Sequence, residues 1–197
     1  MVGKLWLLTQ VCLFITLYTT AQTGNTSVSE QFKQFCSQQR LNYMNPGEYT
    51  PVVYEKDNLV EVKKGSLAIQ FSGYSMPDGR EVYVFSSFRD TCCGSPEISS
   101  ACYVPENNTW KDITAEVMPT LSYNDFYGRD AAPPTQYRDA VQFRYVLHKN
   151  NQLHVVIEPK GQFDEKYLRI FESRKYAAVQ LKWDRKAGKF EIQKWLK

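Results

Sequence analysis

Apolar and polar residues alternate with a period of two over much of this chain, and this period constrains its fold more than any other feature. Leu67, Ile69 and Phe71 alternate with smaller or polar residues, which is typical of a strand with one buried face. The Met-Pro-Asp-Gly segment at 76–79 predicts a turn, because proline presets φ and glycine accepts a positive φ. Residues 81–88 return as a second strand, so the stretch predicts an antiparallel hairpin.

Three further hairpins follow the same pattern. Their strands are predicted at 101–104 with 110–114, at 141–148 with 153–157, and at 176–183 with 189–195. We therefore predict a mainly β fold, built as antiparallel meanders or as a sandwich. Leu67–Phe71 is similar to Val141–Tyr145, which suggests two β-meander halves, about 65–118 and 141–197, joined by a long loop. The alternative is that short antiparallel hairpins resemble each other by chance.

One helix is predicted before the strands. Ser27 and Glu30 have the spacing of a capping box, and Val28, Phe32 and Phe35 recur at helical intervals. The spacing predicts a helix over 29–44, ended by the Asn-Pro-Gly segment at 45–47. Its apolar stripe predicts that it packs on the sheet.

The N-terminus has the pattern of a secretory signal peptide. Lys4 precedes an apolar run over 5–18, and small residues at 19–21 suit a signal peptidase. Cleavage near Ala21 would leave 22–197, a 176-residue length that suits a single domain. We therefore expect a secreted or periplasmic protein; the alternative is a signal anchor that is retained.

Charge and hydropathy argue against nucleic acid binding and against a membrane span. The chain carries a net charge of +3, and loss of the leader with Lys4 would reduce it to +2. Such a balance does not favour nucleic acid binding. No second apolar run reaches about 18 residues, so we expect no integral membrane span in the mature chain.

Four cysteines would remain after cleavage, and an even number in an exported chain predicts disulfides. They are Cys36, Cys92, Cys93 and Cys102, which allow three pairings. A vicinal bridge within the adjacent pair would be strained. We favour one of that pair bonding Cys102 and the other bonding Cys36, which would join the helix to the sheet. The spacing matches neither a zinc finger nor a catalytic thiol with a nearby histidine.

The two histidines, His148 and His154, are predicted to share one face of a hairpin. Placing the apolar residues of both strands on one face requires paired residue numbers to have an even sum. Both histidines then lie on the other face with Arg144 and Glu158. A sum of 302 would place His148 directly opposite His154, as a pH-sensitive or metal-binding pair. The alternative is two exposed polar residues beside a turn.

The sequence shows no catalytic or cofactor-binding motif. Nucleophile elbow, phosphate loop, zinc-protease helix and dinucleotide fingerprint are all missing from the chain. We therefore predict no catalytic residue, no cofactor and no metal, and lean away from an enzyme. A pair of catalytic acids has no diagnostic spacing, so a hydrolase of cell-wall or other extracellular polymers stays an alternative. Glycosylation sequons begin at Asn25 and Asn107.

Two strings of residues resemble a known group of proteins. The chain contains W-x-D-[IV]-T at 110–114 followed by Met118 and Phe126, and L-x-W-x(4)-G-x-F at 181–190. With the Thr-Thr-Ala-Gln junction, they resemble small exported β-rich proteins of Bacteroidetes-type bacteria. This resemblance implies a location in the periplasm or outside the cell. It implies no catalytic residue, because the group has no assigned activity.

The connection at 119–137 carries the functional hypothesis. It is long, and it contains Tyr123, Phe126, Tyr127 and Tyr137. Aromatic side chains on a loop supply contact area at low entropy cost, which favours a module that binds a protein or a glycan. The alternative is that these aromatics pack the loop onto the sheet. A structural component of an envelope complex is a third hypothesis.

Overall fold

Two antiparallel sheets form the body of the fold in the computed structural model, which describes residues 26–39, 49–91, 96–128, 140–160 and 165–197. A helix near the N-terminus packs on the larger sheet. This architecture confirms the predicted mainly β class. The signal peptide, with its cleavage site near Ala21, and the Asn25 sequon lie outside the described residues.

Each sheet is a meander, because strands adjacent in sequence are adjacent in space. The first sheet contains β1 (Val52–Tyr54), β2 (Leu59–Lys64), β3 (Leu67–Ser75), β4 (Glu81–Arg89), β5 (Glu97–Glu106) and β6 (Thr109–Asp112). The second contains β7 (Val141–His148), β8 (Gln152–Pro159), β9 (Ala178–Asp184) and β10 (Lys189–Leu196). The hairpin β1–β2 was not among those predicted, and it extends the first meander toward the N-terminus.

The helices differ from the prediction in extent and number. Helix α1 (Val28–Gln38) begins at the predicted capping box, in which Ser27 Oγ accepts from the Glu30 N–H. It ends earlier than predicted, and residues 40–48 lie outside the described part of the chain. Helices α2 (Thr114–Val117) and α3 (Glu165–Glu172) are not among the predicted elements. Both helices are shorter than the window of about 11 residues over which helical spacing is read from a sequence.

A first core lies between α1 and the first sheet. Phe35, which is 1% exposed, contacts the rings of Phe71, Phe85, Tyr103 and Trp110 at centroid distances of 5.0–5.4 Å. Aromatic residues therefore dominate this interface.

A second core lies between the two sheets. Val84, Cys102 and Val104 face it from the first sheet, and Leu153 and Leu181 face it from the second. Tyr167 and Phe171 of α3 also belong to it. The first sheet is thus covered on both faces, which explains why β4 is buried over most of its length.

Three polar side chains of the first sheet bind the edge of the second. Gln70, Ser86 and Ser100 are direct cross-strand neighbours on β3, β4 and β5. Gln70 donates to the Leu147 carbonyl and accepts from the Leu147 N–H, both at 2.8 Å. Ser86 donates to the Tyr145 carbonyl at 2.6 Å, and Ser100 accepts from the Tyr145 N–H at 3.1 Å. The edge strand β7 therefore crosses β3, β4 and β5, and its unpaired backbone groups are satisfied there.

Candidate functional site

A pocket of about 590 Å³ opens beside the inter-sheet core. One wall is the chain from Asp112 to Leu121, which includes α2 and the start of the long connection. The opposite wall consists of Phe143, Tyr145 and Val155 of the second sheet. The pocket is thus formed jointly by both halves of the chain, and a concave, mainly apolar site of this size can hold a small ligand or a protein side chain.

Hydrogen bonds hold the first wall against β5. The carboxylate of Asp112 accepts from the N–H of Thr114 at 2.8 Å and from its hydroxyl at 2.6 Å. The Thr114 hydroxyl oxygen accepts from the N–H of Cys102 at 2.8 Å. The buried side chains of Ile113 and Val117 anchor the same turn in the core. This wall is therefore preformed rather than assembled on binding.

The charged groups of the pocket are both acidic. Asp112 and Glu116 lie exposed at its rim, and no lysine or arginine is among its described lining residues. Lys111 reaches Glu116 only at 4.0 Å, with both side chains largely exposed, so it screens this charge weakly. Burial, with the nearby Cys102 and Asp112, raises the pKa of Tyr145, so the phenol of this wall residue is neutral at physiological pH. The site can bind an apolar group that carries an adjacent positive charge.

The predicted aromatic residues of the connection are packed into the core. Tyr123, Phe126 and Tyr127 are 6%, 0% and 2% exposed. The Tyr123 hydroxyl donates to that of Tyr127 at 2.7 Å, and a 3₁₀ turn spans Tyr123–Phe126. Tyr137 lies outside the described residues. In this structure the three described aromatics stabilise the loop, as in the packing alternative.

The connection nevertheless contributes to the pocket. Met118, Pro119, Thr120 and Leu121 form part of its wall. The Phe126 ring lies 5.9 Å from that of Phe143, a lining residue of the opposite wall. The buried aromatics therefore help to position a pocket wall that is formed by their neighbours in the connection.

The two described cysteines are free thiols on opposite sides of the first sheet. Cys36 packs with the α1 core, and Cys102 is buried in the inter-sheet core. Burial raises the pKa of Cys36 to about 12, and burial together with Asp112 raises that of Cys102. Neither is therefore a thiolate at neutral pH. Each of the two favoured bridges requires Cys36 or Cys102, and both are free thiols here, so neither favoured bridge is present in the structure; Cys92 and Cys93 lie outside the described residues.

The two histidines share one face of the β7–β8 hairpin, but they do not lie directly opposite each other. Paired residue numbers in β7 and β8 sum to 300, which is even as required, so His154 faces Val146 and His148 faces Gln152. The sum of 302 that would place the histidines directly opposite each other is not the one adopted, because a turn with Asn150 and Asn151 at positive φ closes the hairpin. The two rings still lie 4.2 Å apart as diagonal neighbours.

The ion pair on this face follows the same geometry. Arg144 and Glu158 are diagonal rather than opposite, and they still pair at 2.7 Å. The guanidinium of Arg144 also lies 4.6 Å from the centre of the Phe88 ring. Within the described ranges, no cluster of three His, Cys, Asp or Glu side chains is placed to hold a metal ion.

We expect His154 to make stability depend on pH. Burial lowers its pKa below the usual 6.5, as do the adjacent His148 and Lys194. The unfolded chain therefore binds this proton more readily, and the free energy of unfolding should fall as pH decreases through about 6.5. His154→Gln should flatten the dependence between pH 8 and pH 5.5, measured as the urea midpoint. His148→Gln should flatten it only partly, because the burial of His154 persists; an unchanged slope in His154→Gln would contradict the assignment.

The two family-like strings have structural roles. Trp110 packs edge-on against Phe35, and Asp112 and Thr114 close the turn that forms the pocket wall. In the second string, Gly188 has a φ of +63°, and a Cβ there would lie 3.2 Å from Pro77 Cδ. The apolar members of the second string pack in or against the inter-sheet core: Leu181, Trp183 and Phe190. The residues of both strings named here therefore stabilise the turns and the cores of the fold.

Sequence reasoning did not find the pocket. The one local signal was the Asp112-x-Thr114 spacing, which is typical of a side-chain-capped turn and implies a chain reversal. The opposite wall comes from residues more than twenty positions later, so no local pattern joins the two.

The described part of the chain contains no helix with the length and apolar character that a membrane-spanning helix needs.

Comparison with known proteins supports the fold and assigns no function. No family model matches the chain, and no curated protein matches its sequence. A solved structure is similar, that of a domain of an uncharacterized protein from Porphyromonas gingivalis W83. The TM-score is 0.51 with 11% sequence identity, over 80% of this chain and 86% of that one. The chain thus shares its fold with an uncharacterised Bacteroidetes protein, in line with the resemblance seen in the sequence.

Proposed function

We propose that this protein is an exported binding module that recognises a partner protein through the pocket between residues 112–121 and the second sheet. The observation that carries the proposal is the pocket itself, about 590 Å³ with a wall of Phe143, Tyr145 and Val155. Export rests on the signal-peptide pattern of the first 21 residues.

Charge and polarity point to the kind of side chain that would enter. The wall of Phe143, Tyr145 and Val155 is mainly apolar, while Asp112 and Glu116 make the rim negative. A protein segment with a large apolar residue beside a lysine or arginine satisfies both features. Binding fits this geometry better than hydrolysis, since both acids are exposed at the rim and Asp112 is already held by Thr114.

The test uses small probes that share a ring and differ in charge. Tryptamine presents an indole and an ammonium group, and indole-3-propionate presents the same indole with a carboxylate. We expect tryptamine, and not indole-3-propionate, to shift the NMR methyl signals of Val155 and Ala115. Ala115→Trp should abolish the shift of Val155, because Ala115 is exposed on the pocket wall and the indole would fill the opening.

A matched control separates blocking from a general effect of added tryptophan. Ala187→Trp makes the same change at an exposed alanine in the β9–β10 turn, outside the described lining of the pocket. It should bind tryptamine like the parent protein. Equal binding of both probes, or binding that persists in Ala115→Trp, would contradict the proposal.

A further inference from the structure

A second cleft, of about 460 Å³, lies where the turns of the second sheet meet the first sheet. Its lining includes Asn58 immediately before β2, the end of β3 from Gly73 to Ser75, and the β7–β8 turn. Lys182, Trp183 and Arg185 complete it from β9 and the following turn. It shares no lining residue with the 590 Å³ pocket.

Three asparagines in left-handed conformation line the cleft. Asn58, Asn150 and Asn151 have φ values of 48°, 66° and 55°. Asn58 Nδ2 donates to the Gly73 carbonyl at 3.0 Å, and Gly73 leaves room for it, since a Cβ there would lie 2.4 Å from that nitrogen. An amide offers a donor and an acceptor, as hydroxyl-rich ligands require.

The hairpin turn that carries two of these asparagines is held in place. The Asn150 N–H donates to Asp57 Oδ1 at 2.6 Å, and the Lys149 ammonium lies 4.1 Å from the centre of the Tyr54 ring. Both contacts join the tip of the second sheet to the first. The cleft is therefore rigid on the side of the turn.

An aromatic platform forms part of the cleft. Trp183 is partly exposed, and its indole N–H donates to the Ser75 carbonyl at 2.8 Å. Its ring packs against Phe190 at 4.9 Å and Tyr74 at 5.6 Å. A ring held on three sides can meet the C–H face of a ligand at little entropic cost.

The charge of the cleft is positive. Lys182 and Arg185 are exposed lining residues, and no carboxylate is among the described lining. The nearest acids in sequence are already engaged. Asp57 accepts from Asn150, and Asp184 accepts from the N–H groups of Lys186 and Ala187 at 2.8 and 3.2 Å. These hydrogen bonds fix both carboxylates on backbone N–H groups, and an anionic ligand would find the two cations of the lining, Lys182 and Arg185, available for charge-assisted hydrogen bonds.

We propose that this cleft binds an acidic sugar, with the ring on Trp183, hydroxyl groups on the three asparagine amides, and the carboxylate on Lys182 and Arg185. The aromatic platform and amides select a sugar, and the two cations select a uronate over a neutral one. This site is independent of the proposed protein-binding pocket.

The experiment follows the indole N–H signal of Trp183 by NMR during titration with sodium D-glucuronate. D-glucose and sodium sulfate are compared at matched ionic strength, and Trp183→Phe assigns the signal. We expect a saturable shift with glucuronate and a much weaker response with glucose or sulfate. The double variant Lys182→Gln/Arg185→Gln should bind glucuronate at least about tenfold more weakly, because it removes both cations proposed to contact the carboxylate.

Lys186→Gln is the matched control, because Lys186 is an exposed cation of the same turn that does not line the cleft. It should leave glucuronate binding unchanged, and so should Ala115→Trp, which blocks only the other pocket. An equal response to sulfate would overturn the proposal in favour of simple anion binding. Lack of a saturable shift below about 10 mM glucuronate, or unaltered binding in the double variant, would also overturn it.

Discussion

Replacement of Phe35 by alanine should lower the free energy of unfolding by about 3–5 kcal/mol, the cost typical of deleting a buried phenylalanine. The Phe35 ring is 1% exposed and contacts four aromatic rings of the first sheet. Its loss leaves a cavity at the centre of the interface between α1 and the sheet. Urea denaturation followed by circular dichroism measures the change.

An exposed leucine provides the control for this variant. Leu168 of α3 is 44% exposed, and Leu168→Ala should change the free energy of unfolding by no more than about 0.5 kcal/mol. A loss below about 1 kcal/mol in Phe35→Ala would show that α1 is not packed on the sheet as described.

Gln70→Leu should destabilise the protein by about 3 kcal/mol, because it leaves two backbone groups in a packed region without a hydrogen-bond partner. Its amide now satisfies both the N–H and the carbonyl of Leu147 and also donates to Glu61 at 2.7 Å. Leucine has a similar volume, so packing changes less than hydrogen bonding. We also expect more aggregation at equal urea concentration, since β7 would expose an unsatisfied edge.

Two comparisons test that explanation. Gln152→Leu, at an exposed position of β8, should alter the free energy of unfolding by about 0.5 kcal/mol or less. Ser86→Ala removes one hydrogen bond to the Tyr145 carbonyl and should cost about 1–2 kcal/mol. A Gln70→Leu protein as stable as Gln152→Leu would show that the polar row does not hold the second sheet.

Much of the secondary structure was predictable, because it depends on near neighbours. The capping box at Ser27 and Glu30 and the alternation at Leu67, Ile69 and Phe71 predicted elements that are present. Two short elements were not predicted: β1 has three residues, and α3 buries only Tyr167 and Phe171. Such segments are stabilised mainly by tertiary packing, and they are shorter than the window of about 11 residues over which periodicity is read.

The candidate sites were less predictable than the fold. The aromatics of the connection had the right composition for recognition, yet Phe126 is fully buried and the 590 Å³ pocket uses its neighbours. Gln70, Ser86 and Ser100 resemble solvent-facing strand residues in the sequence, and only the crossing of β7 gives them partners. The histidine face was predictable from parity, whereas the register depended on the turn at Asn150 and Asn151.

Local periodicity and turn chemistry thus account for the strands, the hairpins, the capped helix and the face on which each side chain lies. They act over a few residues, where side-chain direction and backbone preference are sufficient. The crossing of the two sheets, the pocket at 112–121 and the cleft at Trp183 arise only when distant segments meet. Such cavities depend on side-chain packing across layers, and a period of two carries no information about which layer will be opposite.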